Sequence, residues 1–370
     1  MTVTDLEPGF LSLGQATARA IAQRAASGGR LQRTLLVHGP PGSDKEAFVD
    51  DLLALLFCTD GGAERRPCNA CRGCRDARAR AHSDLVLASP EAWREQRSTG
   101  ESIVAAARRW LLDAAGAPIV AERRVVLIER ADRANEQTQN ALLKVLEEPT
   151  RRHMFVLVAD EPTRLLPTIR SRCQPLRIGP VPRGQLAAWL VDRERLPADQ
   201  AETLARLTGG MAGTAIAYAR NPELVSWRRR VQAELLTLVG RGRADRFASV
   251  RELLDETSRL GMTPPSDAEP LEPAEPDAAR VATGQQREAA LLLVGAWIDL
   301  TRDLLVASAG RPGLAPAAEL LPDLPSIASD LGTDALAAFA QRLEVVHDGL
   351  RQNAAPRLAL EAAMLDWPAR

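Results

Sequence analysis

TLLVHGPPGSDKEAFVDDLLALL, Thr34–Leu56, joins a short apolar run to a helical pattern through a glycine- and proline-rich turn. The run TLLVH has the length and composition of a buried strand, and from Lys45 to Leu56 apolar residues recur at helical spacing. The alternation continues outward. DLVLA (84–88), VVLIE (125–129), MFVLVA (154–159) and the weaker PLRI (175–178) are further strand candidates. Ala134–Leu146 reads as a helix in which Ala141 with Val145 and Leu142 with Leu146 are i,i+4 pairs. Short strands separated by helical segments predict a mostly parallel sheet with crossover helices over residues 1–182.

Beyond Pro182 the strand signals stop. Residues 183–221 carry three short helical patterns and end at Asn221-Pro222, where the residue before proline leaves the helical region. Residues 222–370 predict an all-helical domain, with apolar stripes at Leu224, Trp227, Val231, Leu235 and Leu238 and at Leu336, Phe339, Leu343 and Val346. The stretch TPPSDAEPLEPAEPD (263–277) has five prolines and five acidic residues, which predicts a solvated loop over about 263–280. A length of 370 residues accommodates these three domains. Aromatic residues are few, so the cores must be built from Leu, Ala and Val, which favours helices. A net charge of -1 excludes a uniformly basic nucleic-acid coat protein. The N-terminus lacks a basic start followed by an apolar run, and the most apolar stretch, Ala289–Ile298, falls short of the roughly 20 residues of a membrane span. Both observations point to the cytoplasm.

The loop of the opening stretch departs from the phosphate-binding pattern G-x-x-x-x-G-K-[ST]. In that pattern the glycine backbone wraps phosphate, the lysine reaches it and the hydroxyl holds magnesium. Gly39, Gly42 and Lys45 are present, but Asp44 replaces the second required glycine and Glu46 the hydroxyl. Asp44 would repel phosphate oxygens. At the end of a later strand, where an acidic pair would orient magnesium and water, the residues are Glu129 and Arg130. The competing reading of the loop is an ordinary glycine-containing turn after a strand.

Cys58, Cys68, Cys71 and Cys74 form C-x9-C-x2-C-x2-C. Four thiolates close a tetrahedral zinc shell, which predicts a structural rather than a catalytic ion in a module over about 58–80. An iron-sulfur cluster is the alternative, but the run lacks the C-x3-C-P ending of bacterial ferredoxins. Arg65, Arg66, Arg72, Arg75, Arg78 and Arg80 outnumber Glu64 and Asp76 around it, as a nucleic-acid or partner patch would, or as a solvated charged face would. Cys173 reads as a buried free thiol.

NALLKVLEEP (140–149) is a helix with an acidic last turn, an end the helix dipole does not favour, and LLPTIRSRC (165–173) places Arg172 just before a short strand. Alone, each is an ordinary helix or surface arginine. Together, in this order and with the cysteine insertion before the second strand, they resemble the bacterial clamp-loader AAA+ proteins. The resemblance implies an α/β AAA+ domain with a zinc-module insertion, a small helical lid and a C-terminal helical collar. ARNP (219–222), Arg302–Leu305 and NAAPRLALE (353–361) resemble collar segments, so nearly the whole chain is covered.

Within that family the chain looks like the nonhydrolysing delta-prime type rather than the ATP-hydrolysing tau/gamma type. Thr214, in GGMAGTAIA (209–217), stands where hydrolysing members carry arginine. Arg172 falls on the arginine finger offered to a neighbouring subunit's ATP, and the four cysteines fall on the zinc ligands. The implied partners are the tau/gamma and delta subunits and, through the complex, the sliding clamp and primed DNA. ATP binding by this chain is not expected. A tau/gamma-type ATPase and a zinc-dependent nucleic-acid-binding module on an AAA+ scaffold are the two rival functions.

Overall fold

Alternate residues of a strand point to opposite faces of its sheet, and here both faces are apolar, so both must be covered. The computed structural model describes residues 9–27, 33–60, 62, 66–147, 152–259, 275–311, 314–316, 321–352 and 354–368. The chain divides into two compact units, Met1–Arg220 and Asn221–Arg370.

The first unit runs α1 (Ala16–Ser27), β1 (Thr34–His38), α2 (Lys45–Phe57), α3 (Arg72–Arg78), β2 (Leu85–Ala88), α4 (Pro90–Glu95), α5 (Ile103–Ala114), β3 (Arg124–Ile128), α6 (Glu136–Glu147), β4 (His153–Ala159), α7 (Pro167–Arg170), β5 (Gln174–Arg177), α8 (Arg183–Arg193), α9 (Ala198–Leu207) and α10 (Ala212–Arg220). The strands form one parallel sheet in the order β2-β3-β4-β1-β5, with Leu36 opposite Leu157 and Val37 opposite Leu176. Strand β1, and the glycine-containing loop that follows it, therefore lies between β4 and β5. One face buries Leu35, Val37, Leu127 and Val156 under Phe48, Leu52 and Ala18, and the other buries Leu36, Val126 and Leu157 under Leu111, Leu142 and Ile169. Helix α2 is buried on nearly every side, which is why its apolar residues outnumber those of a one-faced helix. Helices α8–α10 pack around Leu186, Leu190, Ala201, Ala205 and Ala215.

The entry to β3 is fixed by a single carboxylate. Asp84 is fully buried and accepts hydrogen bonds from the backbone N–H groups of Ile119, Val120 and Ala121 at 2.5–2.8 Å. Burial alone would raise its pKa, but the three amides outweigh that and hold the carboxyl below the usual carboxylate range. Its stabilisation is therefore fully present above the ordinary aspartate pKa and is lost as pH falls through the depressed value. Asp84→Ala leaves three amides without their acceptor and is expected to cost on the order of 3 kcal/mol in urea unfolding at pH 7. The difference from wild type should shrink below pH 4.

The second unit is all-helical: α11 (Pro222–Thr237), α12 (Arg243–Arg259), α13 (Glu275–Ser308), α14 (Leu324–Leu331), α15 (Thr333–Arg351) and α16 (Pro356–Leu365). Trp227, Val231, Leu235, Leu300, Phe339, Leu343 and Trp367 share one core. Buried Arg246 donates to the carbonyls of Met364 and Trp367 at 3.0 and 2.6 Å, satisfying acceptors that the end of α16 leaves open. Of the proline-rich loop expected over about 263–280, residues 263–274 lie outside the described residues. The remainder is helical, a correction to the sequence expectation: α13 starts at Glu275. Proline is tolerated in a first turn, where its missing N–H has no intrahelical acceptor, so Pro276 opens this helix rather than preventing it.

Candidate functional site: phosphate loop, cysteine cluster and exposed arginine

The phosphate loop keeps its backbone shape while its chemistry is changed. Asp44 has φ 68°, the left-handed conformation that glycine adopts without cost and that explains the glycine of the usual pattern. Gly39 is retained because a Cβ there would lie 1.9 Å from the carbonyl oxygen of Ile178, and a Cβ on Gly42 would lie 2.1 Å from Thr214 Oγ1. The backbone N–H of Thr214 also donates to the Gly42 carbonyl at 3.2 Å, so α10 sits directly on the loop. Lys45, nearly buried, donates to the Pro40 carbonyl at 2.9 Å and pairs with Asp160 at 2.9 Å. Its ammonium is thereby engaged by its own chain. Glu46 is exposed on the first turn of α2.

Glu129 and Arg130 do not form an acidic pair. Glu129 is bonded by Arg80, which also reaches Asp50 at 3.0 Å, and Arg130 lies 3.7 Å from Glu91. Arg78 turns inward as well, to Asp51 at 2.7 Å and to Asn69. Two of the arginines near the cysteines are thus neutralised by α2 carboxylates, and Arg72 is paired with Asp76 at 3.2 Å. Glu64 and Arg65 lie outside the described residues.

The four cysteine sulfurs lie within 4.8 Å of one another, with Cys68 and Cys74 3.9 Å apart. Sulfurs bonded tetrahedrally at 2.3 Å to one ion would be separated by about 3.8 Å, so the donor set fits a single ion. Cys58 follows the end of α2, Cys71 caps α3 and Cys74 is within it. Gly73 is required between them, because a Cβ there would lie 2.0 Å from the Phe57 carbonyl. Backbone N–H groups of Cys68, Cys71 and Cys74 point to the sulfurs of Cys58, Cys68 and Cys71 at 3.5, 3.3 and 3.4 Å, contacts that favour thiolate. Burial pushes the thiols of Cys58 and Cys74 up; at Cys71 burial acts the same way, but hydrogen bonds involving Thr59 and Cys74 outweigh it and bring the thiol down to about 6. Cys173 is buried and burial pushes its thiol up to about 12, consistent with an inert side chain.

Arg172 is exposed between α7 and β5. Its guanidinium donates to the Thr168 carbonyl and to Glu147, each at 2.9 Å. Glu147 ends α6, so the acidic last turn noted in the sequence meets a cation. Pro149, the expected stop of that helix, lies outside the described residues.

The sequence pattern described as DNA polymerase III, delta subunit, matches residues 14–182, which contain all three features. Over this segment the chain is similar to subunits of DNA polymerase III. It is 31% identical over 202 residues to DNA polymerase III subunit delta' of Bacillus subtilis, covering 55% of this chain and 58% of that one. It is 34% identical over 198 residues to the Pseudomonas aeruginosa delta' subunit, covering 51% and 56%. A third relative, DNA polymerase III subunit gamma/tau of Mycobacterium tuberculosis, is 28% identical over 229 residues, covering 56% and 38%. The chain therefore spans little more than half the length of these delta' relatives. Among the described residues, no helix is long and apolar enough to cross a membrane.

Three partners at these sites are not legible in the sequence: Asp160 for Lys45, and Asp51 and Asn69 for Arg78. Asp160 directly follows β4, but only the strand order shows that β4 lies beside β1. Asp51 and Asn69 carry no signal, because their roles depend on contacts distant in sequence.

The carboxyl of Asp44 is pushed up to about 6, first by burial and then by the negative charges of Glu46, Asp51 and Asp50. A folded-state pKa above the unfolded value means that stability is fully present below pH 4 and declines as pH rises through about 6. Asp44→Gly removes this charge and suits the left-handed backbone. It is expected to stabilise the chain by about 1–2 kcal/mol at pH 8 relative to its effect at pH 4, read from urea midpoints at the two pH values.

Proposed function

We propose that this chain is the nonhydrolysing delta-prime, or stator, subunit of the replicative clamp loader. In this reading residues 1–182 are its AAA+ domain, 183–221 its lid and 222–370 its collar. It holds one structural zinc at Cys58, Cys68, Cys71 and Cys74 and offers Arg172 to the ATP of an adjacent tau/gamma subunit. The assembly, working with the delta subunit, then loads the sliding clamp on primed DNA. The observation that carries this reading is the phosphate loop, where Asp44 and Glu46 replace the ligands for nucleotide and magnesium and Lys45 is paired with Asp160. A phosphate would have to displace that pair beside a carboxylate that repels it. Arg172, by contrast, keeps a planar donor fork at an exposed position.

The tau/gamma-type alternative is supported by the gamma/tau relative, but it requires hydrolysis from a loop without its hydroxyl. The nucleic-acid-module alternative needs a continuous basic face around the cysteines. Arg78 and Arg80 are instead turned onto Asp51 and Asp50.

Titrating labelled ATP and magnesium into the isolated chain is expected to give no saturation at micromolar concentrations and no turnover. Mixed with tau/gamma and delta subunits, the chain should copurify and restore DNA-stimulated ATP hydrolysis. Micromolar ATP affinity with steady turnover by the chain alone would sink the stator reading.

A further inference from the structure

The cysteine module is joined to residues 9–15 by a run of partly buried hydrogen bonds that neither the phosphate loop nor the arginine requires. Asn69 stands between Cys68 and Cys71 in the left-handed conformation, φ 59°, and is almost wholly buried. Its side-chain amide donates to the Gly9 carbonyl at 2.8 Å, and the Gly9 N–H donates to the Pro67 carbonyl at 2.7 Å. Its carbonyl oxygen accepts from Arg78 at 3.0 and 2.7 Å, and Arg78 in turn holds Asp51 at 2.7 Å. The same Asp51 carboxylate accepts the backbone N–H groups of Leu11 and Ser12 at 2.9 and 2.7 Å. Asp51 has no exposed surface, so its charge depends on donors and cations of the protein such as these.

From Ser12 the segment continues to the junction between the sheet and α8. Gln15 donates to the Gly179 carbonyl at 2.8 Å and accepts the Gly179 N–H at 3.1 Å. A Cβ on Gly14 would lie 3.2 Å from Val181, and the Val181 N–H donates to the Gly210 carbonyl at 2.8 Å. Residues 9–15 thus form a strap with one end on the cysteine module, its middle on α2 and its other end on Gly179–Val181, the segment that leads into α8–α10.

We propose that the cysteine module is the anchor of this strap, so that metal occupancy sets the order of residues 9–15 and, through Gln15, of the Gly179–Val181 junction. The ion fixes the turn Cys68–Cys71 that aims Asn69, and Asn69 positions Gly9 and Arg78. Arg78 orients the Asp51 carboxylate toward the Leu11 and Ser12 amides. The ion's role then extends beyond its own loop to the geometry at which α8–α10 meet the sheet. Only the metal arm of the test rests on the four-thiolate reading.

Hydrogen–deuterium exchange of the full chain, with metal content measured in parallel, tests the coupling. Removal of the ion by chelator should accelerate exchange in peptides covering 9–15 and 177–182 about tenfold while the β4 core, 154–158, stays protected. Asn69→Gly keeps the left-handed turn and the ligands, so it should retain one metal per chain yet loosen 9–15 to a similar extent. Gln15→Ala should release 177–182 and leave 9–12 protected. Unchanged protection of 9–15 in the stripped chain would overturn the role of metal occupancy, unchanged protection of 9–15 in Asn69→Gly would overturn Asn69 as the link, and unchanged protection of 177–182 in Gln15→Ala would overturn the extension to the junction. A chain that binds no metal refutes the four-thiolate reading instead, and Asn69→Gly still decides whether the module holds the strap.

Discussion

Arg172→Ala is expected to leave folding, metal content and subunit assembly intact while abolishing most ATP turnover at one neighbouring site of the reconstituted clamp loader. Among the described residues, the side chain is hydrogen-bonded to the Thr168 carbonyl and Glu147, and both it and Glu147 are exposed. Exposed pairs contribute at most about 1 kcal/mol, so the chain's stability should barely change. In phosphoryl transfer an arginine supplied from another subunit stabilises charge spread over the transferring group, an effect of roughly 10³ to 10⁵ in turnover at that site. Because a ring with several ATP sites loses only one of these fingers, total hydrolysis should fall by less, whereas clamp loading, which requires the sites to act together, should fall further. Arg172→Lys should rescue poorly, since lysine keeps the charge and loses the planar fork. Glu147→Gln removes the tether but keeps the fork, and turnover should survive it. Full hydrolysis and loading by the Arg172→Ala complex would reduce Arg172 to a surface ion pair with Glu147.

What the sequence disclosed about this molecule followed the range of the interactions involved. Strands β1 to β4 were legible because a sheet covered on both faces needs unbroken apolar runs, and such runs are visible in TLLVH and MFVLVA without knowledge of their neighbours; the edge strand β5, QPLR, gives a weaker signal. The damaged loop was legible for the same reason: Gly39, Asp44, Lys45 and Glu46 act within eight residues of chain. The strand order, and with it the meeting of Lys45 with Asp160, was not, because it depends on which strands pair. Arginine spacing around the cysteines was misleading on its own. Arg78 and Arg80 look like part of a basic surface in sequence, yet a buried carboxylate at Asp51 and a half-buried one at Asp50 require cations, and these were within reach. The start of α13 is hidden in the sequence because a proline that would break a helix interior is tolerated in its first turn, where Pro276 stands.

Loss of the ion from the cysteine cluster should destabilise the first unit more than the loss of any one ion pair described in it. Cys74 has no exposed surface, and its sulfur lies against the Ala54 carbonyl at 3.4 Å, so an unligated polar group there would have little water to turn to. The small core of this region, Ala54 with Cys58, Cys68 and Cys74, consists mainly of the ligands themselves. Little apolar burial remains to order residues 66–80 once the thiolates lose their common partner and repel one another. With zinc present at a thousand times its dissociation constant, linkage alone contributes about 4 kcal/mol. In a unit of this size that corresponds to a fall in Tm of roughly 8–16 °C on chelation. Cys74→Ser should reproduce the fall, since a serine oxygen is a poor and shorter ligand at a position shaped for sulfur. Protection of the second unit's core around Trp297 and Leu300 should persist, because that core has no residue in common with the cluster. Elemental analysis should find one zinc per chain before chelation and none after. Iron with a visible charge-transfer band would replace the zinc assignment with a cluster, and an unchanged Tm after complete removal of the ion would show that the four cysteines hold their fold without it.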